Sequence, residues 1–338
     1  MRGFASDNNS SVHPLVMDAL LRANKDHALG YGNDKWTEEA IVQIKEMFGS
    51  GCEPFFVFNG TGSNVMALQL ITRPYHFVIC TETAHIYVDE CGSPAKNTGC
   101  QMRPIATKDG KLTPELILPY LHGFADQHHS QPGAVYLSQC TELGTIYTPD
   151  EIRAIADLAH RYNMRVHMDG ARIPNACAAL NLSLRELTAD CGVDILSFGG
   201  TKNGLMMGEC VIIFDPALKT EAYFIRKQTT QLASKMRYIS CQFTAYLTDD
   251  LWLKNARHAN EMASKLYEIL RTVPGIYFTQ KPESNQLFLT LPPPLIDKLR
   301  QSYYFYFWNE EANEIRLVTS FDTTEKDIEE VAGVVRDL

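Results

Sequence analysis

The chain has 338 residues, of which 45% are hydrophobic and 21% are charged, and its formal net charge is −9. This is the composition of an ordinary globular protein, and the net negative charge without a basic stripe argues against a nucleic-acid partner. Residues 1–11 are polar and no apolar stretch is long enough to span a bilayer, so we expect a cytoplasmic protein without a membrane partner. Nine cysteines without a C-x-x-C pair, mostly in or beside apolar runs, predict reduced, buried thiols and no metal site.

Short apolar runs alternate with amphipathic helical patterns up to about residue 245. This alternation predicts an α/β fold, in which helices cover both faces of a mainly parallel sheet. The predicted strands are 55–58, 77–81, 133–137, 165–168, 195–198 and 210–214. Helices are predicted to begin after Thr113, Thr148 and Ser183, because each precedes residues typical of a first helical turn.

The pattern changes in the last part of the chain. A long helical pattern over 249–272 is followed by strand candidates at 276–279, 286–291, 303–307 and 315–318, and by a closing helix from Thr323 or Thr324. This mixture predicts a smaller α+β domain, so we divide the chain into domains 1–247 and 248–338, with the N-terminal segment able to pack on the second. The run Pro292-Pro293-Pro294 predicts a rigid loop.

A lysine and an aspartate follow two of the predicted strands. Lys202 stands in the glycine-rich turn 199–204, and Asp169 ends the preceding strand, 202 − 169 = 33 positions earlier. Pyridoxal 5'-phosphate (PLP) needs such a pair, because a lysine forms its Schiff base and a carboxylate keeps its pyridine nitrogen protonated. Alone, either residue is more often a solvated loop or turn residue. Their combination with a phosphate-binding loop favours the cofactor.

That loop is the segment Asn59-Gly60-Thr61-Gly62-Ser63-Asn64, between a predicted strand and a predicted helix. Glycines let backbone N–H groups approach an anion, and a helix N-terminus favours negative charge. A dinucleotide fingerprint is incomplete, because Val65 stands at the third glycine position. A plain strand-to-helix turn remains an equal alternative for this loop by itself.

Two further positions are candidates for contact with cofactor or substrate. His85 follows the strand 77–81, at the sheet edge where α/β proteins bind ligands, and an imidazole there can stack on a pyridine ring. Arg316 interrupts the apolar strand pattern 315–318, and Arg172 follows Asp169 by three residues. A guanidinium fork suits an amino-acid carboxylate, although an edge-strand arginine would show the same pattern.

Together these pieces resemble the low-specificity L-threonine aldolases, PLP enzymes of the aspartate aminotransferase fold (fold type I). That fold implies a mainly parallel seven-stranded sheet between helices and a smaller α+β C-terminal domain. The resemblance runs nearly end to end, and the Asp169 and Lys202 segments are its most specific parts. The segments that carry it are Phe4-Ala5-Ser6-Asp7-Asn8, Tyr31-Gly32-Asn33-Asp34, Phe58-Asn59-Gly60-Thr61, Glu82-Thr83-Ala84-His85, His167-Met168-Asp169-Gly170-Ala171-Arg172, 197–204 and 231–237.

The resemblance implies a role for each matched position. Lys202 forms the Schiff base with PLP, Asp169 pairs with the pyridine nitrogen, and His85 stacks on the ring. The residues implied to hold the phosphate are Gly60, Thr61, Gly62 and Thr201. The residues implied to bind the substrate carboxylate are Ser6, Arg172 and Arg316, with Arg172 also at a cofactor oxygen. Tyr31 resembles a residue that reaches the site of a neighbouring subunit, which implies a homo-oligomer, dimer or tetramer, with shared active sites.

One departure concerns catalysis. Many family members carry a second active-site histidine, but Glu142 stands at that position here. We predict that His85 removes the β-hydroxyl proton in a retro-aldol cleavage of L-threonine or L-allo-threonine to glycine and an aldehyde, with Glu142 as the alternative base. A β-eliminating lyase or an amino-acid racemase on the same fold remains open. A non-catalytic nucleotide-binding α/β protein is a further alternative, but it leaves Lys202, Asp169 and Arg316 unexplained together.

Overall fold

The computed structural model describes residues 3–336. The strands of its main sheet are β1 (Glu53–Val57), β2 (His76–Thr81), β3 (Gln101–Ile105), β4 (Gln131–Ser138), β5 (Arg165–Gly170), β6 (Ile195–Phe198) and β7 (Glu209–Ile213). They lie in the order β1-β7-β6-β5-β4-β2-β3. Strand β7 is antiparallel to both neighbours, and the other adjacent pairs are parallel. The carboxyl ends of β1, β2, β4, β5 and β6 therefore share one edge with the amino end of β7.

All six predicted strands of this sheet are present with slightly shifted ends, and the expected α/β architecture is confirmed. Strand β3 was not predicted. It lies at the edge of the sheet, and only Ile105 of its five residues is buried. An edge strand of this kind lacks the apolar run by which a buried strand is recognised.

Helices cover both faces of the sheet, because alternate strand residues point into different cores. In β1, Phe56 belongs to one hydrophobic cluster, whereas Phe55 and Val57 belong to another on the opposite face. The helices of this part are α1 (Pro14–Ala23), α2 (Lys35–Phe48), α3 (Gly60–Ile71), α4 (His85–Val88), α5 (Ser93–Thr98), α6 (Pro114–Ile117), α7 (Pro149–Arg161), α8 (Ile173–Leu180), α9 (Lys219–Gln228) and α10 (Arg237–Leu247).

The predicted helix starts have different outcomes. Thr148 and Glu151 form a capping box at the start of α7, and Thr113 caps the short helix α6. Ser183 and Glu186 form the same reciprocal hydrogen bonds, at 2.8 and 3.3 Å, but the chain continues in turns. The predicted helix after Ser183 is therefore wrong. The next turn is closed by the hydroxyl of Thr188, which donates to the carbonyl four residues earlier, and the chain then turns toward β6.

The C-terminal part contains a second, antiparallel sheet in which the four predicted strands are present. Its strands are β8 (Tyr277–Phe278), β9 (Gln286–Thr290), β10 (Tyr306–Asn309) and β11 (Glu314–Val318), and their order is β10-β11-β9-β8. Its helices are α11 (Leu251–Leu270), α12 (Pro293–Ser302) and α13 (Glu325–Arg336). The loop predicted at Pro292-Pro293-Pro294 is wrong, because Pro292 is the N-cap of α12 and the other two prolines stand in its first turn. Proline fits the first turn of a helix, where its missing N–H has no intrahelical acceptor.

The second sheet has its own hydrophobic core, which includes Phe4 from the beginning of the chain. Phe4 N donates to Tyr304 O at 2.9 Å, and Val318 N donates to Phe4 O at 2.8 Å. The N-terminal segment thus packs on the small sheet and leads from it toward the main one. The domain division between residues 247 and 248 stays a prediction.

The nine cysteines are all free, and all but Cys91 are buried. The predicted burial of the thiols is therefore confirmed for the other eight. Among residues 3–336, no helix is both long enough and apolar enough to cross a membrane.

Candidate active site

Asp169 and Lys202 lie at the same edge of the main sheet. Strands β5 and β6 are paired with Asp169 opposite Ser197, and Lys202 follows β6 in the short 3-10 turn Thr201–Asn203. The segments that follow β5 and β6 pack closely against each other at Gly199. A Cβ at this position would lie 2.6–2.9 Å from backbone atoms of Ala171. The fold therefore brings together Asp169 and Lys202, as predicted from the sequence.

The Lys202 side chain is half-buried and makes no hydrogen bond within residues 3–336. Burial lowers its pKa, and the nearby Arg172 guanidinium lowers it further, against the opposing effects of Asp7 and Asp169. A lowered pKa increases the fraction of neutral amine, which is the nucleophilic form. The environment of Lys202 therefore suits reaction with an aldehyde.

Asp169 is buried and accepts three hydrogen bonds. Tyr136 Oη and Asn64 Nδ2 donate to its Oδ2 at 2.7 and 2.9 Å, and Ala171 N donates to its Oδ1 at 2.9 Å. Burial alone would raise its pKa, but the nearby His85 and the bonds from Tyr136 and Asn64 outweigh burial and lower it. Asp169 is thus held as an anion, the form that would pair with a protonated ring nitrogen.

His85 begins α4 and is oriented by a second buried carboxylate. Its Nδ1 lies 2.8 Å from Glu90 Oε1, and the same oxygen accepts a hydrogen bond from Asn64 Nδ2 at 2.8 Å. Burial acts to lower the pKa of His85, but the Glu90 hydrogen bond and the charge of Asp169 raise it above its ordinary value. With Nδ1–H directed to Glu90, the free Nε2 is the atom available to a ligand. Asn64 links His85 to Asp169 through this network.

Glu142 lies directly beside His85. Its Oε1 accepts from His85 N at 2.8 Å and from Ser138 Oγ at 2.6 Å. Its Oε2 is inaccessible to solvent and has no partner among the described residues. Burial raises the pKa of Glu142 against these two hydrogen bonds. The structure therefore places both candidate bases in one region.

The predicted phosphate loop forms the N-terminus of α3. Asn59 caps this helix by accepting from Gly62 N at 2.7 Å, and the first N–H groups of a helix have no acceptor within it. A Cβ at Gly60 would meet no atom within 4 Å, whereas one at Gly62 would lie 2.3–2.5 Å from the Gln231 side chain. The loop thus offers donors and open space at Gly60 and close packing at Gly62. Thr201 lies on the lysine turn, with its hydroxyl 3.4 Å from Gly208 O.

Arg172 is already engaged by a carboxylate. Its Nε and Nη2 donate to the two oxygens of Asp7 at 2.7 and 2.8 Å, and both side chains are buried. Asn285 Nδ2 adds a bond of 3.1 Å to Asp7. One edge of the Arg172 guanidinium is therefore occupied by the protein itself.

Arg316, in contrast, has unused hydrogen-bonding capacity. Its Nε is buried without a partner in the described residues, and its Nη2 makes one long bond of 3.4 Å to Ala5 O. The pKa of Arg316 is lowered by burial and by Arg172. Ser6 follows Ala5, and its hydroxyl oxygen accepts from Asn8 N at 3.1 Å. A carboxylate would satisfy the unpaired guanidinium donor.

Tyr31 lies apart from these residues. The residue is 52% exposed, and its ring centroid is 5.5 Å from Lys227 Nζ. No hydrogen bond or ring contact within residues 3–336 joins it to Lys202, Asp169 or His85. The structure therefore brings together the predicted site residues except Tyr31.

Comparison with known proteins decides the family. The beta-eliminating lyase family matches residues 3–291. The low specificity L-threonine aldolase of Pseudomonas aeruginosa is 42% identical over 99% of this chain and 96% of its own length. That of Pseudomonas sp. (strain NCIMB 10558) is 39% identical over 98% and 96%. The chain belongs to the low-specificity L-threonine aldolases.

A solved threonine aldolase supports the assignment at the level of structure. The enzyme of Leishmania major superposes with a TM-score of 0.93 at 31% identity, covering 99% of this chain and 98% of that one. The fold expected from the aldolase resemblance is thus confirmed. The function predicted from the sequence agrees with the names of these relatives.

Several site residues of this aldolase were not recognised from the sequence as functional. Tyr136 and Asn64 hold Asp169, Glu90 orients His85, and Asp7 engages Arg172. Their partners are 33, 105, 5 and 165 positions away, respectively. Of these residues, only Glu90 lies near its partner in the sequence, five positions after His85. An acidic residue at such a position is by itself typical of an exposed helix end.

Proposed function

We propose that this protein is a PLP-dependent L-threonine aldolase, which cleaves L-threonine, L-allo-threonine and related β-hydroxy-α-amino acids to glycine and an aldehyde. The observation that carries the proposal is the position of Lys202 beside the anion Asp169 at one sheet edge. The identity to threonine aldolases over nearly the whole chain supports the reaction.

The residues at this edge fit PLP. Lys202 has a lowered pKa, Asp169 is kept ionised by three donors, and the N-terminus of α3 provides donors and space for a phosphate. When bound, PLP supplies an electron-accepting ring for the electrons of the bond that breaks at Cα. We assign Lys202, Asp169, His85, Gly60, Thr61, Gly62, Arg172 and Thr201 to its binding.

The substrate carboxylate would be held mainly by Arg316 and Ser6. Arg316 has a buried Nε donor without a partner in the described part of the chain, and Ser6 lies on the adjoining N-terminal segment. Arg172 would contribute through the guanidinium edge that Asp7 leaves free. Fixing the carboxylate sets which bond at Cα is aligned for cleavage.

His85 would remove the β-hydroxyl proton through Nε2. Its Nδ1 is held by Glu90, so the ring is fixed and its other nitrogen is directed away from that carboxylate. Asp169 remains an anion throughout, and Glu142 Oε2, which has no hydrogen-bond partner among residues 3–336, is the alternative acceptor for the proton. A positioned base of this kind contributes about 100- to 10,000-fold to a rate.

The functional form would be a cytoplasmic homo-oligomer, dimer or tetramer, with active sites shared between subunits. Tyr31 is exposed, and a cluster of partly exposed apolar side chains surrounds a cavity of about 680 Å³ nearby. The exposed members of this cluster are Met17, Leu21, Phe58, Met206 and Met207. Apolar surface of this kind is typical of an interface with another protein chain.

Product identification tests the reaction. The purified protein, supplied with PLP, should release equimolar acetaldehyde and glycine from L-allo-threonine. Pyruvate and ammonia from L-serine without acetaldehyde from L-allo-threonine would instead establish a β-eliminating lyase. D-alanine from L-alanine without cleavage would establish a racemase.

A further inference from the structure

Arg316 lies on the face of the second sheet that is opposite to the hydrophobic core of this sheet. Its strand neighbours Ile315 and Leu317 belong to that core, and successive side chains of a strand point to opposite faces. Directly opposite Arg316 in the adjoining strands are Tyr306 on β10 and Phe288 on β9. Residues paired in this way share one face of a sheet, so Arg316 is flanked by two aromatic side chains.

Trp308 adds a third ring to this cluster. It lies where the pairing of β10 with β11 is irregular, between Phe307 and Asn309, and an extra residue at such a point can re-aim a side chain. The Trp308 ring centroid is 5.6 Å from Arg316 Cζ, and the Tyr306 ring centroid is 5.9 Å from it. Both distances are within the roughly 6 Å over which an aromatic face attracts a cation. The guanidinium therefore has a cation–π contact with each of these rings.

Phe288 connects the aromatic cluster to the proposed site. It is fully buried, and its ring centroid is 5.1 Å from that of Trp308 at an interplanar angle of 82°. A Cβ at Gly144, two residues after Glu142, would lie 3.5 Å from Phe288 Cε2. The aromatic cluster thus lies against the loop that carries Glu142.

Hydrogen bonds hold the Arg316 guanidinium only weakly. Arg172 is fixed by two bonds to Asp7. Arg316 makes, among the described residues, a single bond of 3.4 Å to Ala5 O. A protein carboxylate in place of the rings would occupy the donors that a substrate carboxylate needs. An aromatic face attracts the cation through the ring quadrupole and leaves the N–H donors in the guanidinium plane free.

We propose that Tyr306 and Trp308 are positioning residues for the substrate carboxylate. Their rings hold the Arg316 guanidinium at the site while its N–H donors remain free, so the site selects amines that carry a carboxylate over plain amines. Trp308, which is half-buried, should contribute more than Tyr306, which is 43% exposed, because cation–π attraction is stronger away from water. This inference rests on the role of Arg316 in the proposed function.

Ligand binding tests this selection. Glycine is the amino-acid product of the proposed reaction, and methylamine is the matching amine without a carboxylate. Each is titrated into PLP-loaded protein and followed by the absorbance of the cofactor. Trp308→Leu should weaken glycine binding by about 5- to 30-fold and Tyr306→Leu by about 2- to 5-fold, and neither should change methylamine binding. Trp308→Phe and Tyr306→Phe keep a ring and should retain most of the glycine affinity.

A second measurement separates cation–π attraction from packing, and it also serves if Trp308→Leu does not fold. Tryptophans with increasing numbers of ring fluorines, incorporated at position 308, weaken the ring quadrupole with little change of shape. Glycine affinity should fall stepwise with the number of fluorines, and methylamine affinity should stay constant. Tyr277→Leu, at a 70% exposed position of β8, should bind both ligands as wild type does.

Glycine affinity in Trp308→Leu equal to that of wild type, or an equal loss for glycine and methylamine, would overturn the proposal. Glycine affinity that does not depend on the number of fluorines would overturn it as well. Arg316→Leu should lose most of the preference for glycine over methylamine, and a retained preference would remove the role of Arg316 together with this inference.

Acetaldehyde release from L-allo-threonine by the wild type tests the reaction separately. A protein that cleaves this substrate, but in which Trp308→Leu binds glycine as wild type does, keeps its function and loses only this inference.

Discussion

Asp7 and Arg172 form a two-bond ion pair across 165 positions of sequence, with donor–acceptor distances of 2.7 and 2.8 Å. Both side chains are buried, and the pair joins the N-terminal segment to the strand end that carries Asp169. The burial that would raise the pKa of Asp7 is outweighed by Arg172, which lowers it. Both side chains therefore stay ionised, and each charge is stabilised by the other.

Removal of one charge from this pair should be costly. Asp7→Asn leaves a buried guanidinium without its counter-ion, and breaking a buried ion pair lowers stability by about 3–5 kcal/mol. We expect urea unfolding to show a loss of this size. Asp18→Asn, at an exposed position of α1, should stay within about 0.5 kcal/mol of wild type. An Asp7→Asn variant as stable as Asp18→Asn would contradict the importance of the pair.

The pH dependence of kcat/KM should depend on the contact between Glu90 and His85. If neutral His85 is the base, kcat/KM rises with pH as His85 loses its proton, with a midpoint above its ordinary pKa of 6.5. Glu90→Gln removes the hydrogen-bonded charge that raises this pKa, so the rising limb should move to lower pH. His85→Asn should reduce kcat by about 100- to 10,000-fold. A rising limb that does not move in Glu90→Gln would show that another group titrates.

Glu142→Gln distinguishes the two candidate bases. Glutamine retains an oxygen that can accept from His85 N and Ser138 Oγ, so the local geometry should survive. We expect the loss of kcat to stay below the roughly 100-fold lower bound for removal of a general base. A loss as large as that of His85→Asn would transfer the role to Glu142.

Two glycines of one loop should respond differently to alanine. Gly62→Ala brings a Cβ against the end of the Gln231 side chain, which must move and lose the hydrogen bond that its Oε1 accepts from Phe58 N, so stability should fall by about 0.5–1.5 kcal/mol, visible as a lower melting temperature. Gly60→Ala meets open space and should melt like wild type, yet it should weaken PLP binding if the phosphate approaches that backbone. Unchanged PLP affinity in Gly60→Ala would place the phosphate elsewhere.

The sequence was sufficient to predict the buried strands and the proximity of Asp169 and Lys202. Continuous apolar runs identify parallel strands, and the carboxyl ends of such strands share an edge, so residues at those ends are brought together. Strand β3 could not be found in this way, because edge strands alternate or lack apolar residues. The loop prediction at residues 292–294 was wrong for a related reason, since proline is typical of both loops and first helical turns.

The contacts that support the site residues could not be predicted from the sequence. Asn64 bonds to Asp169 and Glu90 because a helix start and two strand ends converge, and no local pattern encodes that convergence. The pairing of Asp7 with Arg172 could not be predicted either, and it changes the role expected for that arginine. From the sequence, an arginine after a strand suggests a guanidinium that is free to bind a substrate carboxylate. In the folded chain, Asp7 already occupies one edge of the Arg172 guanidinium.

Acetaldehyde release from L-allo-threonine should be measured for wild type and Lys202→Ala, each saturated with PLP, because the proposed reaction depends on this lysine. Borohydride reduction and peptide mapping of the wild type accompany it. We expect that the wild type releases acetaldehyde, that PLP is fixed on Lys202, and that release by Lys202→Ala falls to background. Release at the wild-type rate by Lys202→Ala, or fixation of PLP on another lysine, would show that Lys202 is not the cofactor lysine of the reaction.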